Sequence, residues 1–110
     1  MYARMTKFVG LPPERVDQAL EEFKVHELAL FDGREGFEGV IVLVDRAAGT
    51  AAALSLWDDE EHMKATEAVA REARRGVAAM TKPERTPIVD HYLVYEVHRA
   101  TGDVEAHPAT

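Results

Sequence analysis

Trp57 is the only tryptophan of the chain and Ser55 the only serine. On an extended segment Ala51, Ala53, Ser55 and Trp57 share one face, because side chains alternate across a strand. Three small residues beside one large ring would leave space against an aromatic wall, and such a cleft suits a flat aromatic ligand. The competing reading is that the small residues only permit close helix packing and Trp57 fills the core. His62 stands in the first turn of a helix that follows Trp57. An imidazole at the mouth of that cleft would act as general base near neutral pH. The helix N-terminus is expected to lower its pKa; the alternative is an exposed His beside Glu60 and Glu61. Arg4 and Thr6 on the first strand could also point at the cleft and anchor an oxygen anion. His91 and Tyr95 share one face of the last strand, and Asp90, Tyr92 and Glu96 the other. Either face offers a proton donor or a contact between copies, and Tyr92 is the second candidate for the oxyanion. His26 and Glu27 interrupt the apolar stripe of the first helix, a local rule-break that marks either a function or a rotation of the helix face.

Other chemistries lack their residues. The chain has no Cys, so disulfides, thiol catalysis and thiolate metal sites are excluded. No G-x-S-x-G surrounds Ser55. His26-Glu27 lacks the second His of H-E-x-x-H, and no metal site is expected. Gly33, Gly36 and Gly39 do not make a phosphate-binding loop, and length and motif argue against a Rossmann domain. The balance of 13 basic against 20 acidic residues, a net charge of −7, argues against a nucleic-acid partner. Val40 to Val44 is the longest apolar run and is far short of a membrane span. With no signal-like N-terminus, the chain reads as cytoplasmic.

These residues need a scaffold, and 110 residues make one domain. Tyr2 to Val9 reads as a strand closed by Gly10. Pro12-Pro13 opens a helix that runs from Glu14 to about Phe31, with Gly33 as a left-handed cap. Gly36 to Asp45 and Ala51 to Trp57 make an antiparallel hairpin. Asp58 and Glu61 form a capping box for a helix from Asp59 to about Met80, with Met63, Thr66, Ala70, Ala73, Val77 and Met80 as its stripe. Ile88 to His98 is the final strand. Residues 1–100 form the domain and 101–110 a polar tail. The order β-α-β-β-α-β is that of a ferredoxin-like α+β fold, an antiparallel sheet with two helices on one face. Val40 through Val44 puts apolar side chains on both faces of its strand, so both faces are expected to be buried. The uncovered sheet face then calls for a second copy of the chain, and a homodimer through the sheets is the expected assembly.

The stretch Gly36-Phe37-Glu38-Gly39-Val40, Leu43-Val44-Asp45-Arg46, Gly49-Thr50 and Leu54-Ser55-Leu56-Trp57-Asp58-Asp59-Glu60-Glu61 resembles the antibiotic biosynthesis monooxygenase-like family of the dimeric α+β barrel superfamily. The resemblance spans about residues 2–99, with Tyr92 to Glu96 similar to the last strand that helps form the dimer. It implies a dimeric α+β barrel. The family includes cofactor-free oxygenases of polycyclic phenols and quinols, haem-degrading enzymes and members with no assigned reaction. Trp57 matches the Trp of the haem-degrading members. Their Asn has no counterpart, and Glu67 stands where their His is expected, which argues against haem degradation. The function expected is therefore a monooxygenase without cofactor, acting on an electron-rich aromatic such as a quinol. Its expected site has His62 as base and Trp57, Arg4, Tyr92 and Ser55 as ligand contacts. The alternative is a non-catalytic dimer that binds a small ligand or serves a stress or biosynthetic role.

Overall fold

The alternating segment Tyr2–Phe8 forms β1, with Ala3, Arg4, Thr6 and Phe8 buried. The computed structural model describes residues 1–98 and residue 100, so the 101–110 tail lies outside the described residues. Three further strands, β2 (Phe37–Asp45), β3 (Thr50–Trp57) and β4 (Ile88–Leu93), complete a sheet of order β2-β3-β1-β4. Every neighbouring pair is antiparallel. Helices pack on one face, which gives the ferredoxin-like α+β fold. Gly49, in the β2–β3 connection, has φ +69, and its carbonyl accepts a hydrogen bond from Leu11 N–H at 2.9 Å. A side chain there would strike the Leu11 backbone, so glycine is required.

Both helical regions depart from a regular α-helix. The first begins as a 3₁₀ turn at Pro13–Arg15 and continues as α1 (Val16–Glu22). A π-helical segment, Phe23–Leu28, follows, and then the short α2 (Ala29–Phe31). The second region is α3 (Glu60–Ala65) and α4 (Glu67–Thr81), broken at Thr66. The expected single helix is interrupted because the Thr66 hydroxyl donates to the Met63 carbonyl at 2.8 Å and accepts from Arg4 Nη2 at 2.9 Å. The cap also differs from expectation. Asp59, not Asp58, caps the helix and accepts from His62 N–H at 2.8 Å, so no capping box forms. The buried stripe follows expectation at Met63, Thr66, Ala70 and Val77 and departs from it elsewhere: Ala73 is half-buried, Met80 is exposed and Thr81 is buried. Charged residues at 67 and 74 occupy the inward heptad-like phase, which hides it from a count of apolar residues.

Two expectations for the strands change. The last strand ends at Leu93, well before His98. Its pairing with β1 runs from Ile88 opposite Lys7 to Leu93 opposite Tyr2, and a Val94 N–H to Met1 carbonyl bond at 2.9 Å follows. The run Val40–Val44 is not buried on both faces within one chain. β2 is an edge strand, and Ile41 and Leu43 are 48% and 47% exposed on the side away from the helices.

The helix-facing core falls into two apolar clusters. One gathers Phe8, Phe23, Ala51, Ala53 and Val77; the other gathers Phe31, Trp57, Met63 and Ala70. Arg4, Ser55, Glu27 and Arg74 occupy the intermediate positions of β1, β3, the π segment and α4. A polar belt thus crosses the interior.

Candidate functional site

Arg4 is the centre of the belt and is 2% exposed. Its Nη2 donates to the Met63 carbonyl at 2.6 Å and to Thr66 Oγ1 at 2.9 Å, and its Nε donates to Glu67 Oε1 at 3.0 Å. The guanidinium lies 5.8 Å from the ring centres of both Phe31 and Trp57. These contacts offset the cost of burying a cation. The Thr66 break makes this possible, because it frees the Met63 carbonyl to meet Arg4.

Glu67 passes the interaction outward. Its Oε1 also meets His91 Nε2 at 2.8 Å. Burial works to raise the Glu67 pKa, but the Arg4 charge and hydrogen bond, with His91, hold it below the usual range. An ionised Glu67 can only accept, so His91 Nε2 donates the hydrogen bond and Nδ1 is left as the other polar atom of the ring. Glu60, Met63, Lys64, Glu67 and His91 line a cleft of about 310 Å³. Met63 is buried and forms its floor.

Glu27 is buried on the π segment, where the sequence breaks its apolar stripe. Burial pushes its pKa up to about 7, against the pull of Arg74 and Arg4. An unfolded Glu titrates near 4.5, so the folded state holds its proton more tightly. Stability should fall as pH rises from about 4.5 to about 7 and change little above, by on the order of 3 kcal/mol from this group. Urea unfolding at about pH 5 and about pH 8 reads this, and Glu27→Gln should remove that part of the difference. Parallel losses in both proteins would place the source elsewhere. His26 is exposed instead and pairs with Glu22 at 2.7 Å.

The other predicted residues are distributed as follows. Trp57 is fully enclosed, 5.3 Å from Phe31 in an edge-on pair and 5.3 Å from Phe37. Its Nε1 donates to Ser55 Oγ at 3.0 Å, and Ser55 sits 3.5 Å from the Arg4 carbonyl. Ala51 and Ala53 are covered by the first helix and Val77, so they belong to the core and leave no space beside the ring. Thr6 is buried on the same face of β1 as Arg4. Tyr92 pairs with Ala3 and lies on the opposite face of the sheet from Arg4, whose partner is His91. Tyr92 therefore cannot hold an oxyanion beside Arg4 within one chain. Tyr95 follows the end of β4 and is exposed.

His62 also departs from expectation. Its Nδ1 meets Asp58 Oδ1 at 2.7 Å and its Nε2 approaches Glu35 at 3.5 Å. Its pKa is raised, first by the Asp58 hydrogen bond, so nearby carboxylates outweigh the helix N-terminus. Gly36, with φ +83, packs here, and a side chain on it would collide with Asp58 and His62. Asp58, Asp59 and His62 bring possible ligand atoms within 4.8 Å of one another, a juxtaposition the sequence spacing did not suggest. The three are surface groups whose mutual hydrogen bonds account for their closeness. Asp58→Asn should lower the His62 pKa in a proton NMR titration; an unmoved midpoint would assign the shift to another neighbour.

No family model and no curated protein matches the chain by sequence. Solved structures do. The monooxygenase ActVA-Orf6 of Streptomyces coelicolor, solved with nanaomycin D, superposes with a TM-score of 0.76 at 10% identity, covering 91% of this chain and 92% of that one. The chain has the antibiotic biosynthesis monooxygenase fold. SnoaB, a cofactor-independent oxygenase of Streptomyces nogalater, matches with a TM-score of 0.58 at 16% identity, over 87% of this chain and 94% of that one. NE2512 of Nitrosomonas europaea, of unknown function, matches with a TM-score of 0.67 at 18% identity, over 92% and 95%. No helix among the described residues is long and apolar enough to cross a membrane.

Proposed function

We propose that the protein is a cofactor-independent monooxygenase that oxidises an electron-rich aromatic, of quinol or polycyclic phenol type. The observation that carries this is the chain Arg4–Glu67–His91 at the mouth of a cleft floored by Met63. The likeness of fold to two oxygenases supports it. The base is His91 in place of His62, which does not line that cleft and whose pKa is raised. His91 Nδ1 removes a proton from an activated ring carbon or its hydroxyl. The substrate anion passes an electron to O2, and the radical pair joins through a new C–O bond. The peroxide, reprotonated, loses water to leave a carbonyl, so one O2 and one CH2 become one C=O and one H2O. Met63 supplies an adaptable apolar contact to the ring.

The working unit is a homodimer through the open sheet face. Met5, Ile41, Leu43, Leu54, Leu56 and Tyr92 share that face, with Tyr92 52% exposed. An apolar patch of this kind calls for a partner. Light scattering on the eluted protein should give twice the chain mass.

Oxygen uptake with a panel of anthrone-like and quinol compounds tests the activity. A substrate-dependent rate is the expected outcome. No uptake with any of them would favour the second reading, a non-catalytic small-ligand binder, which the complete enclosure of Trp57 supports.

A further inference from the structure

A second cleft lies further along α4, toward its C-terminal end. Arg71, Arg74, Arg75 and Ala78 line it with Thr86 and Pro87 from the segment before β4, and its volume is about 180 Å³. Positions 71, 74 and 75 fall on one side of a helix, so three guanidinium groups crowd together in a chain of net charge −7. Carboxylates compensate them incompletely. Arg75 meets Glu72 at 3.3 Å in an exposed pair, and Arg74 feels Glu67 and Glu27 on its inner side. Arg74 Nη1 is shielded from solvent and has no hydrogen-bond partner among the described residues. A buried donor left unpaired is costly. Burial first, and then the like charges of Arg4 and Arg71, weaken the hold of Arg74 on its own proton.

We propose that this cleft is a binding site for an oxyanion, a carboxylate or phosphate carried on a small apolar body, separate from the His91 cleft. Guanidinium groups present paired donors that match either anion, and such charge-assisted bonds are the strong ones. An anion seated among Arg71, Arg74 and Arg75 would relieve the repulsion among Arg71, Arg74 and Arg4. Ala78, Pro87 and the arginine stems supply apolar walls for the body that carries the charge. The Thr86 hydroxyl can add a donor.

The test is calorimetric titration of the full chain with inorganic phosphate, benzoate and uncharged benzamide at matched ionic strength. Saturable binding of phosphate, of benzoate or of both is expected, and which of them binds names the headgroup. Arg74→Gln should weaken it at least about tenfold, and so should the surface pair Arg71→Gln/Arg75→Gln, which leaves the buried belt intact. Equal binding of benzamide, no saturable heat from either anion, or unchanged affinity in the surface pair would each overturn the site. Oxygen uptake is not part of the readout, so failure here leaves the oxygenase proposal standing, and failure there leaves this one.

Discussion

His91→Ala is expected to lower kcat for aromatic oxidation by about 10²–10⁴-fold, the range a positioned general base contributes. The side chain is 47% exposed, so its removal opens no core cavity. The melting midpoint should stay within a few degrees. Its role comes from orientation: Glu67 accepts a hydrogen bond from Nε2, and His91 lines the cleft. KM should change little, because Met63 still lines the cleft. Glu67→Gln should act more weakly, since a carboxamide can still accept from Nε2 but carries no charge. An oxygen-electrode assay in which His91→Ala matches the parent at every pH would remove His91 from the chemistry.

Arg4→Met should cost about 3–5 kcal/mol of unfolding free energy, the range for breaking a buried ion pair by removing one partner. The loss has three sources: Glu67 is left without its cation, the Met63 carbonyl and Thr66 hydroxyl lose a donor, and the Phe31 and Trp57 rings lose the guanidinium 5.8 Å from each. Methionine keeps most of the volume, so cavity formation is a minor part. In urea unfolding, the double variant Arg4→Met/Glu67→Met should recover part of the loss, because it leaves no lone carboxylate. Additive losses in that cycle would mean that Arg4 and Glu67 do not act as a pair.

The fold was largely readable because its signals are local and periodic. Tyr2–Phe8 alternates, Asp45 to Thr50 is short enough only for a hairpin, and the strand–helix order admits few topologies. What escaped depends on partners distant in sequence. The break at Thr66 follows from an arginine 62 residues away, and nothing in the window around Thr66 announces it. The same holds for His91 and Glu67, whose face was undetermined until register placed His91 opposite Arg4. Glu27 did leave a trace as a charge in an apolar stripe. Glu67 and Arg74 left a fainter one, two charges seven apart in step with Met63, Ala70 and Val77. His62 misled because its local setting suggested the helix dipole, whereas the hydrogen bond and charge of Asp58 lead the upward shift, with Asp59 and Glu35 adding to it.

Phe23, Glu27 and Phe31 recur every fourth residue, a spacing that drifts about 40° per step around a regular α-helix. The π segment absorbs that drift by accommodating one residue more in its turn. Phe23 is anchored on Phe8 at 5.3 Å before it, and Phe31 on Trp57 at 5.3 Å after it. A single-codon deletion between residues 23 and 28 would let the segment close into an unbroken α-helix, with Phe31 then seven residues after Phe23 and within about 20° of the same face. The segment thus stores one surplus residue between two aromatic anchors. Evolution can remove that residue without moving either end, whereas a further insertion would have no slack to take it up.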